Sequence, residues 1–225
     1  MLNLLRALSF RAEFVIVVGM AFGYSALASI QAALAGQSGK ALLSESNLTY
    51  LLANELFVLI ALAVFLHARG WTFERIGLGP NAKESLLGIG LALIVQVVYT
   101  IVWAIAASSS QSLENAGRLF NPVDGSIDPA VVIAVSIVNP IFEEAFLCGY
   151  VVTALKDRTS QWAAINVSVA IRLVCHLYQG VIGVIFIVPV GLIFAYWYSR
   201  QGRLWPLIVA HVLFDFIPLI AYARL

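Results

Sequence analysis

Seven long apolar stretches, separated by short polar segments, dominate the sequence. A helix needs about 20 mostly apolar residues to cross the hydrocarbon core of a bilayer, and the stretches are close to that length. The pattern therefore predicts an all-α, polytopic bundle of about seven transmembrane helices. The predicted spans cover residues 12–36, 46–68, 85–108, 129–155, 161–178, 181–199 and 204–222.

The composition agrees with a membrane protein and excludes a soluble domain. Of the 225 residues, 61% are hydrophobic and 11% are charged, and the mean hydropathy is +0.94. A net charge of +1 gives no sign of a nucleic-acid partner. The two cysteines, Cys148 and Cys175, both lie inside predicted spans, which argues against a structural disulfide. The partners implied are the lipid bilayer and a substrate within it.

The basic residues predict the orientation of the bundle, because short loops rich in Lys and Arg stay on the cytoplasmic side. With the N-terminus inside, nine basic residues are cytoplasmic and three are external, while Arg172 lies within the fifth span. The sequence thus predicts a multi-pass protein of the cell membrane with a cytoplasmic N-terminus. The nine are Arg6, Arg11, Arg69, Arg75, Lys83, Lys156, Arg158, Arg200 and Arg203, and the three are Lys40, Arg118 and Arg224.

The longest polar stretch, Ser108–Asp128, divides the chain. It contains Asn121-Pro122 and Asp124-Gly125, which are turn signals, and we expect it to be an external loop. Apart from Glu55, the chemically unusual residues follow this loop. We therefore predict that residues 1–128 form supporting transmembrane helices and that residues 129–225 form the working core.

Two adjacent carboxylates, Glu143 and Glu144, lie inside the fourth predicted span. An ionised group at this depth costs at least a few kcal/mol, so it normally faces a partner or a water-filled cavity. Neighbours on a helix are about 100° apart, so the two acids should have different roles. One of them could activate water as a general base, although both could instead be structural, bonded to neighbouring helices.

The fifth span carries Ser168, Arg172 and His176 at intervals of four, which predicts one polar stripe facing the bundle interior. Arginine keeps its proton, so Arg172 requires an anion at this depth. A lone histidine in a membrane more often bonds a neighbouring helix than catalyses, and the stripe could also conduct protons. The candidate anions are Glu143, Glu144, Asp215 and Glu55.

In the seventh span, His211 and Asp215 are four apart, so the carboxylate can orient the imidazole. The same pairing orients metal ligands, and two histidines with one or two carboxylates would suit a catalytic zinc. The sequence has no HExxH motif. A cofactor therefore stays undetermined: a divalent metal such as zinc is possible but not required, and a carboxylate-activated water is the alternative.

These segments together resemble the intramembrane proteases of the CAAX-processing and bacteriocin-processing family, also called the Abi family. The family's patterns are EExxxR, FxxxH and HxxxN/D. Glu143-Glu144 fits the first, His176 in HLYQG the second, and His211 with Asp215 the third, in the right order and on separate spans. The resemblance covers roughly Pro140–Asp215.

The resemblance implies an endopeptidase that acts on a membrane-associated, prenylated or leader peptide or protein. It implies that Glu143 with His176 activates water. His211 and Asp215 would stabilise the oxyanion or bind a metal, and Glu144 would pair with the family's arginine.

The sequence departs from the family at two positions. Cys148 stands where EExxxR has Arg, and Arg172 stands where FxxxH has Phe. We hypothesise that the guanidinium has moved from the fourth span to the fifth, so that Arg172 neutralises Glu144 across the helix interface.

Two other classes of function use the same residues. The departures could mark a catalytically inactive member that acts as a membrane scaffold, an immunity protein or a secretion helper. A proton-coupled transporter could use the acids and histidines as a relay, but the sequence lacks the internal repeat that many transporters have.

Overall fold

A computed structural model describes residues 7–36, 43–109, 126–221 and 223. Seven helices of 15 residues or more follow one another in these ranges, and each corresponds to one predicted span, so the all-α prediction is confirmed. The helices are α1 Phe10–Leu34, α2 Glu45–Ala68, α3 Ala82–Ser109, α4 Pro129–Lys156, α5 Gln161–Cys175, α6 Gly180–Gln201 and α7 Trp205–Ile220.

Four of these helices begin at residues whose side chains can cap them. In each case a hydroxyl or carboxylate oxygen accepts a hydrogen bond from a free backbone N–H of the first turn. These local bonds set where α1, α2, α4 and α5 start. The capping residues are Ser9, Ser44, Asp128 and Ser160.

Five helices, α1 to α4 and α6, are long and apolar enough to cross a membrane. The other two are shorter: α5 has 15 residues and α7 has 16. At a rise of 1.5 Å per residue they extend about 22–24 Å, less than the roughly 30 Å of a hydrocarbon core. The predicted fifth span was therefore too long. It ends at Cys175, and a 3₁₀ turn, Leu177–Gln179, connects it to α6.

Helix α4 is the centre of the bundle. Half of the residues in an apolar 18-residue stretch of α4 are buried inside the protein. In the equivalent stretches of the four other long helices, 33% or less are buried. Its first half packs against α2 and α7, and its second half packs against α1, α5 and α6. Large apolar side chains on α1 to α3, such as Val15, Phe57 and Leu93, are exposed at the bundle surface, where lipid would cover them.

The basic connections lie together at one end of the bundle, which we call the basic end. Arg69 Nε donates to Glu13 Oε2 at 2.6 Å, and Arg203 Nη1 donates to Glu84 Oε1 at 2.7 Å. The segments 69–81, 157–160 and 202–204 connect helices here. The positive-inside rule predicts that the basic end is the cytoplasmic one.

Gly88 allows α3 to lie close to α7. A Cβ atom at residue 88 would lie 2.7 Å from the Pro206 carbonyl oxygen and 2.7 Å from Val209 Cβ. We expect Gly88→Ala to force these helices apart and to destabilise the protein by about 1–3 kcal/mol, as overpacking does. The measurement is the thermal unfolding midpoint of the purified protein in detergent.

Gly90 provides the control on the same helix, because a Cβ there would have no heavy atom within 4 Å. Gly90→Ala should leave the midpoint unchanged or raise it slightly, since Ala favours helix more than Gly does. Equal midpoints for the two variants would show that α3 and α7 are not packed as described.

Candidate active site

The two glutamates of α4 lie in different environments. The Glu144 side chain is completely buried, whereas that of Glu143 is 14% exposed and lines a cavity inside the bundle. The ordinary α-helix ends at Glu144, and a π-helical segment, Ala145–Val152, continues α4. π-Helical turns are rare and occur frequently at functional sites.

Arg172 of α5 holds both carboxylates. Its Nη1 atom donates to Glu143 Oε2 at 3.2 Å, and its Nη2 atom donates to Glu144 Oε1 at 2.6 Å. The arginine side chain is only 3% exposed. A planar guanidinium with several fixed donors suits this double contact, which a lysine could not reproduce. Of the four anions that the sequence offered, the structure thus pairs Arg172 with the two adjacent ones.

His176 caps the C-terminal end of α5 and faces Glu143. Its Nδ1 atom lies 2.7 Å from the backbone carbonyl oxygen of Arg172 and donates to it. In the neutral ring, this bond leaves the lone pair on Nε2. Nε2 lies 3.7 Å from Glu143 Oε1, too far for a direct bond but a suitable distance for both atoms to bind one water.

His211 of α7 connects the second glutamate to Asp215. Its Nδ1 atom lies 2.8 Å from Glu144 Oε1, and its Nε2 atom lies 3.7 Å from Asp215 Oδ1. The other Asp215 oxygen, Oδ2, accepts a hydrogen bond of 2.9 Å from Asn139 Nδ2 of α4. The imidazole is therefore oriented by the hydrogen bond from Nδ1 to Glu144, while the Asp215 carboxylate lies near Nε2 without a direct bond.

Asn139 and Glu55 contribute to the site but were not among the predicted site residues. Asn139 lies one turn before Glu143, so the four-residue spacing on one helix face was the signal that could have identified it. Glu55 lines the same cavity as Glu143. Its burial in an apolar span was the signal, but only the fold shows which cavity it reaches.

The cavity has a volume of about 750 Å³ and lies between the site and the end of the bundle opposite the basic end. Its wall is mostly apolar and includes Leu43 and Leu48, which lie at that opposite end, and Tyr99 and Phe186 from α3 and α6. This volume is within the range of small-molecule and peptide side-chain pockets. The ionisable side chains that line it are Glu55, Glu143, Arg172, His176, His211 and Asp215.

The π-helical segment is attached to α5 next to the site. The Ser168 hydroxyl donates to the Leu147 carbonyl oxygen at 2.9 Å. Ser168 and Arg172 are 2% and 3% exposed, so this part of the predicted polar stripe does face the interior. Cys148, which replaces the family's arginine, is buried in the same π-helical segment.

A metal ion fits this arrangement poorly. One ligand atom from each of Glu143, Glu144 and His211 lies within 4.8 Å of the others, and the buried Glu144 Oε2 has no hydrogen-bond partner among the described residues. However, Arg172 already contacts both carboxylates, and Glu144 Oε1 also contacts His211. A divalent cation here would lie beside a fixed guanidinium, and the two positive charges would repel each other.

Apolar helices around a buried cluster of carboxylates, imidazoles and a guanidinium define an integral membrane protein with a polar site inside its bundle. Residues 126–217 match the family described as type II CAAX prenyl endopeptidase Rce1-like. This match confirms the resemblance to the CAAX-processing and bacteriocin-processing family, and it includes all six predicted site residues. No curated protein and no solved structure matches the chain.

The relocated guanidinium can be tested with the two residues that depart from the family pattern. Arg172→Phe restores the family's aromatic residue but leaves two buried glutamates without their cation. Breaking a buried ion pair from one side costs about 3–5 kcal/mol, so we expect a large loss of stability. Adding Cys148→Arg should recover much of it, because residue 148 lies one turn after Glu144. The readout is the thermal unfolding midpoint in detergent.

Arg200→Ala, at an exposed arginine near the end of α6, is the control for removing a positive charge. The relocation hypothesis is wrong if Arg172→Phe with Cys148→Arg is inactive while Arg172→Ala is fully active.

Proposed function

We propose that the protein is an intramembrane endopeptidase of the cell membrane. It hydrolyses a peptide bond in a membrane-associated substrate, such as a prenylated or leader peptide. The observation that carries this proposal is the pair Glu143 Oε1 and His176 Nε2, 3.7 Å apart on the wall of one cavity. The match of residues 126–217 to a family of prenyl endopeptidases supports the same reaction class.

In the proposed first step, a water binds between Glu143 Oε1 and His176 Nε2. Glu143 takes one proton from this water as the general base, and the water oxygen attacks the carbonyl carbon of the substrate. Arg172 holds the other Glu143 oxygen, so the carboxylate is fixed in one orientation. His176 is likewise fixed through its bond to the Arg172 backbone. The two groups that act on water are thus positioned by the same residue.

The negative charge that develops on the substrate oxygen needs a hydrogen-bond donor. In this proposal His211 fills the role as an imidazolium: its Nδ1–H donates to Glu144, and its Nε2–H, on the cavity side near Asp215, donates to the substrate oxygen. When the carbon–nitrogen bond breaks, Glu143 returns its proton to the leaving amine. The sum of the steps is the addition of one water across the peptide bond.

The two departures from the family pattern do not favour an inactive scaffold. Loss of the arginine at residue 148 would leave Glu144 unpaired, but Arg172 supplies a guanidinium at 2.6 Å. In this proposal α4 to α7 carry the reaction. Helices α1 to α3 support them and complete the cavity.

Glu143→Gln tests the role of the base. The amide keeps the size and can still accept a bond from Arg172, but it cannot take a proton from water. We expect cleavage of a peptide library by the purified protein to fall by about 10²-fold or more, with an unchanged unfolding midpoint. Glu74→Gln, at an exposed residue of the basic end, is the control. If cells that carry Glu143→Gln keep the phenotype that depends on this protein, an inactive membrane scaffold is the better explanation.

A second measurement separates the two mechanisms for activating water. Because Arg172 occupies the charge-compensating position between the glutamates, we expect cleavage to persist after treatment with a strong chelator. Loss of activity with chelator, followed by recovery with added zinc, would instead assign a metal to Glu143, Glu144 and His211.

A further inference from the structure

Glu55 is a buried carboxylate without a partner. It lies in the middle of α2, is 4% exposed, and its Oε2 atom has no hydrogen-bond partner among the described residues. A buried carboxyl group without a partner is costly, particularly at the depth of a membrane. The residue also lies outside the segment 126–217 that matches the family, so the family's chemistry does not account for it.

Glu55 faces the cavity of the proposed active site. It lies on the cavity wall with Glu143 and Asp215, and within electrostatic range of both. The same face of α2 presents Leu51 and Leu48 to the cavity, one and two turns earlier. The part of the cavity wall that α2 provides is therefore apolar except for Glu55, which lies close to the proposed reacting groups.

In the part of the chain that the structure describes, no lysine or arginine of the cavity wall is free to pair with Glu55. Arg172 is the only lysine or arginine among the described residues of the cavity wall, and it is engaged by Glu143 and Glu144. His176 bonds the Arg172 carbonyl, and His211 bonds Glu144. A basic group of a bound substrate could supply the partner that Glu55 lacks among the described residues.

We propose that Glu55 forms a subsite for a basic side chain of the peptide substrate. This subsite rests on the proposed function. It implies that the substrate is an apolar peptide segment with a lysine or arginine near the scissile bond. The basic side chain would form a charge-assisted hydrogen bond to Glu55, while Leu48, Leu51 and the aromatic wall bind the apolar neighbours. Such a substrate gives the Glu55 carboxyl group a partner only when its basic side chain lies opposite Glu55.

The cleavage experiment compares matched peptides, one with lysine and one with glutamine at each position of an apolar segment. We expect the wild-type protein to prefer a lysine peptide in kcat/KM by about tenfold or more at one position. In Glu55→Gln this ratio should fall to near one. Glu74→Gln, which removes an exposed carboxylate at the basic end, should keep the wild-type ratio. A wild-type ratio near one, or an unchanged ratio in Glu55→Gln, would overturn the subsite.

A binding experiment keeps this result distinct from failure of the proposed function. The Glu143→Gln protein and the Glu143→Gln, Glu55→Gln double variant are titrated with the same fluorescent peptides in detergent. Tighter binding of the lysine peptide that depends on Glu55 supports the subsite even if no peptide is cleaved. Glu143-dependent cleavage without any charge preference, in contrast, supports the peptidase and overturns the subsite.

Discussion

The contact between one guanidinium and two adjacent carboxylates is the constraint on which the site depends. Two ionised glutamates cannot be buried next to each other in an apolar bundle unless a fixed cation compensates them. That cation, Arg172, comes from a neighbouring helix, so α4 and α5 must pack in one register for the charges to meet. The backbone of Arg172 also orients His176. The same residue thus compensates the charge of the glutamates and sets the geometry of the proposed catalytic pair.

The contacts around this arginine form one network that links α4, α5 and α7. One branch runs through Glu143 to the His176 ring, 3.7 Å away at the end of α5. The other branch runs through Glu144 to His211 of α7, and Asn139 of α4 bonds Asp215 of the same helix as His211. Such contacts restrict the orientation of the side chains, which is how a site achieves preorganisation. Its members are His176, Glu143, Arg172, Glu144, His211, Asp215 and Asn139.

The sequence was sufficient to predict the helices, because the length of an apolar stretch can be read from neighbouring residues alone. Each predicted span corresponds to one helix. Spacing by four also placed Arg172 and His176 on one side of α5. The end of that helix and the π-helical segment after Glu144 were not predictable, since both depend on packing around buried residues. The position of Glu55 relative to Glu143 was equally inaccessible, because it depends on how α2 lies against α4.

The two short helices have a consequence for the surrounding lipid. α5, which ends next to His176, and α7, which carries His211, have 15 and 16 residues and are several ångströms shorter than a typical hydrocarbon core. Hydrophobic mismatch of this kind is relieved by local thinning of the bilayer. Thinning at this side of the bundle would bring the headgroup layer, with its water, closer to the histidines. This would shorten the path through the apolar core of the bilayer for water, the second reactant of the proposed hydrolysis.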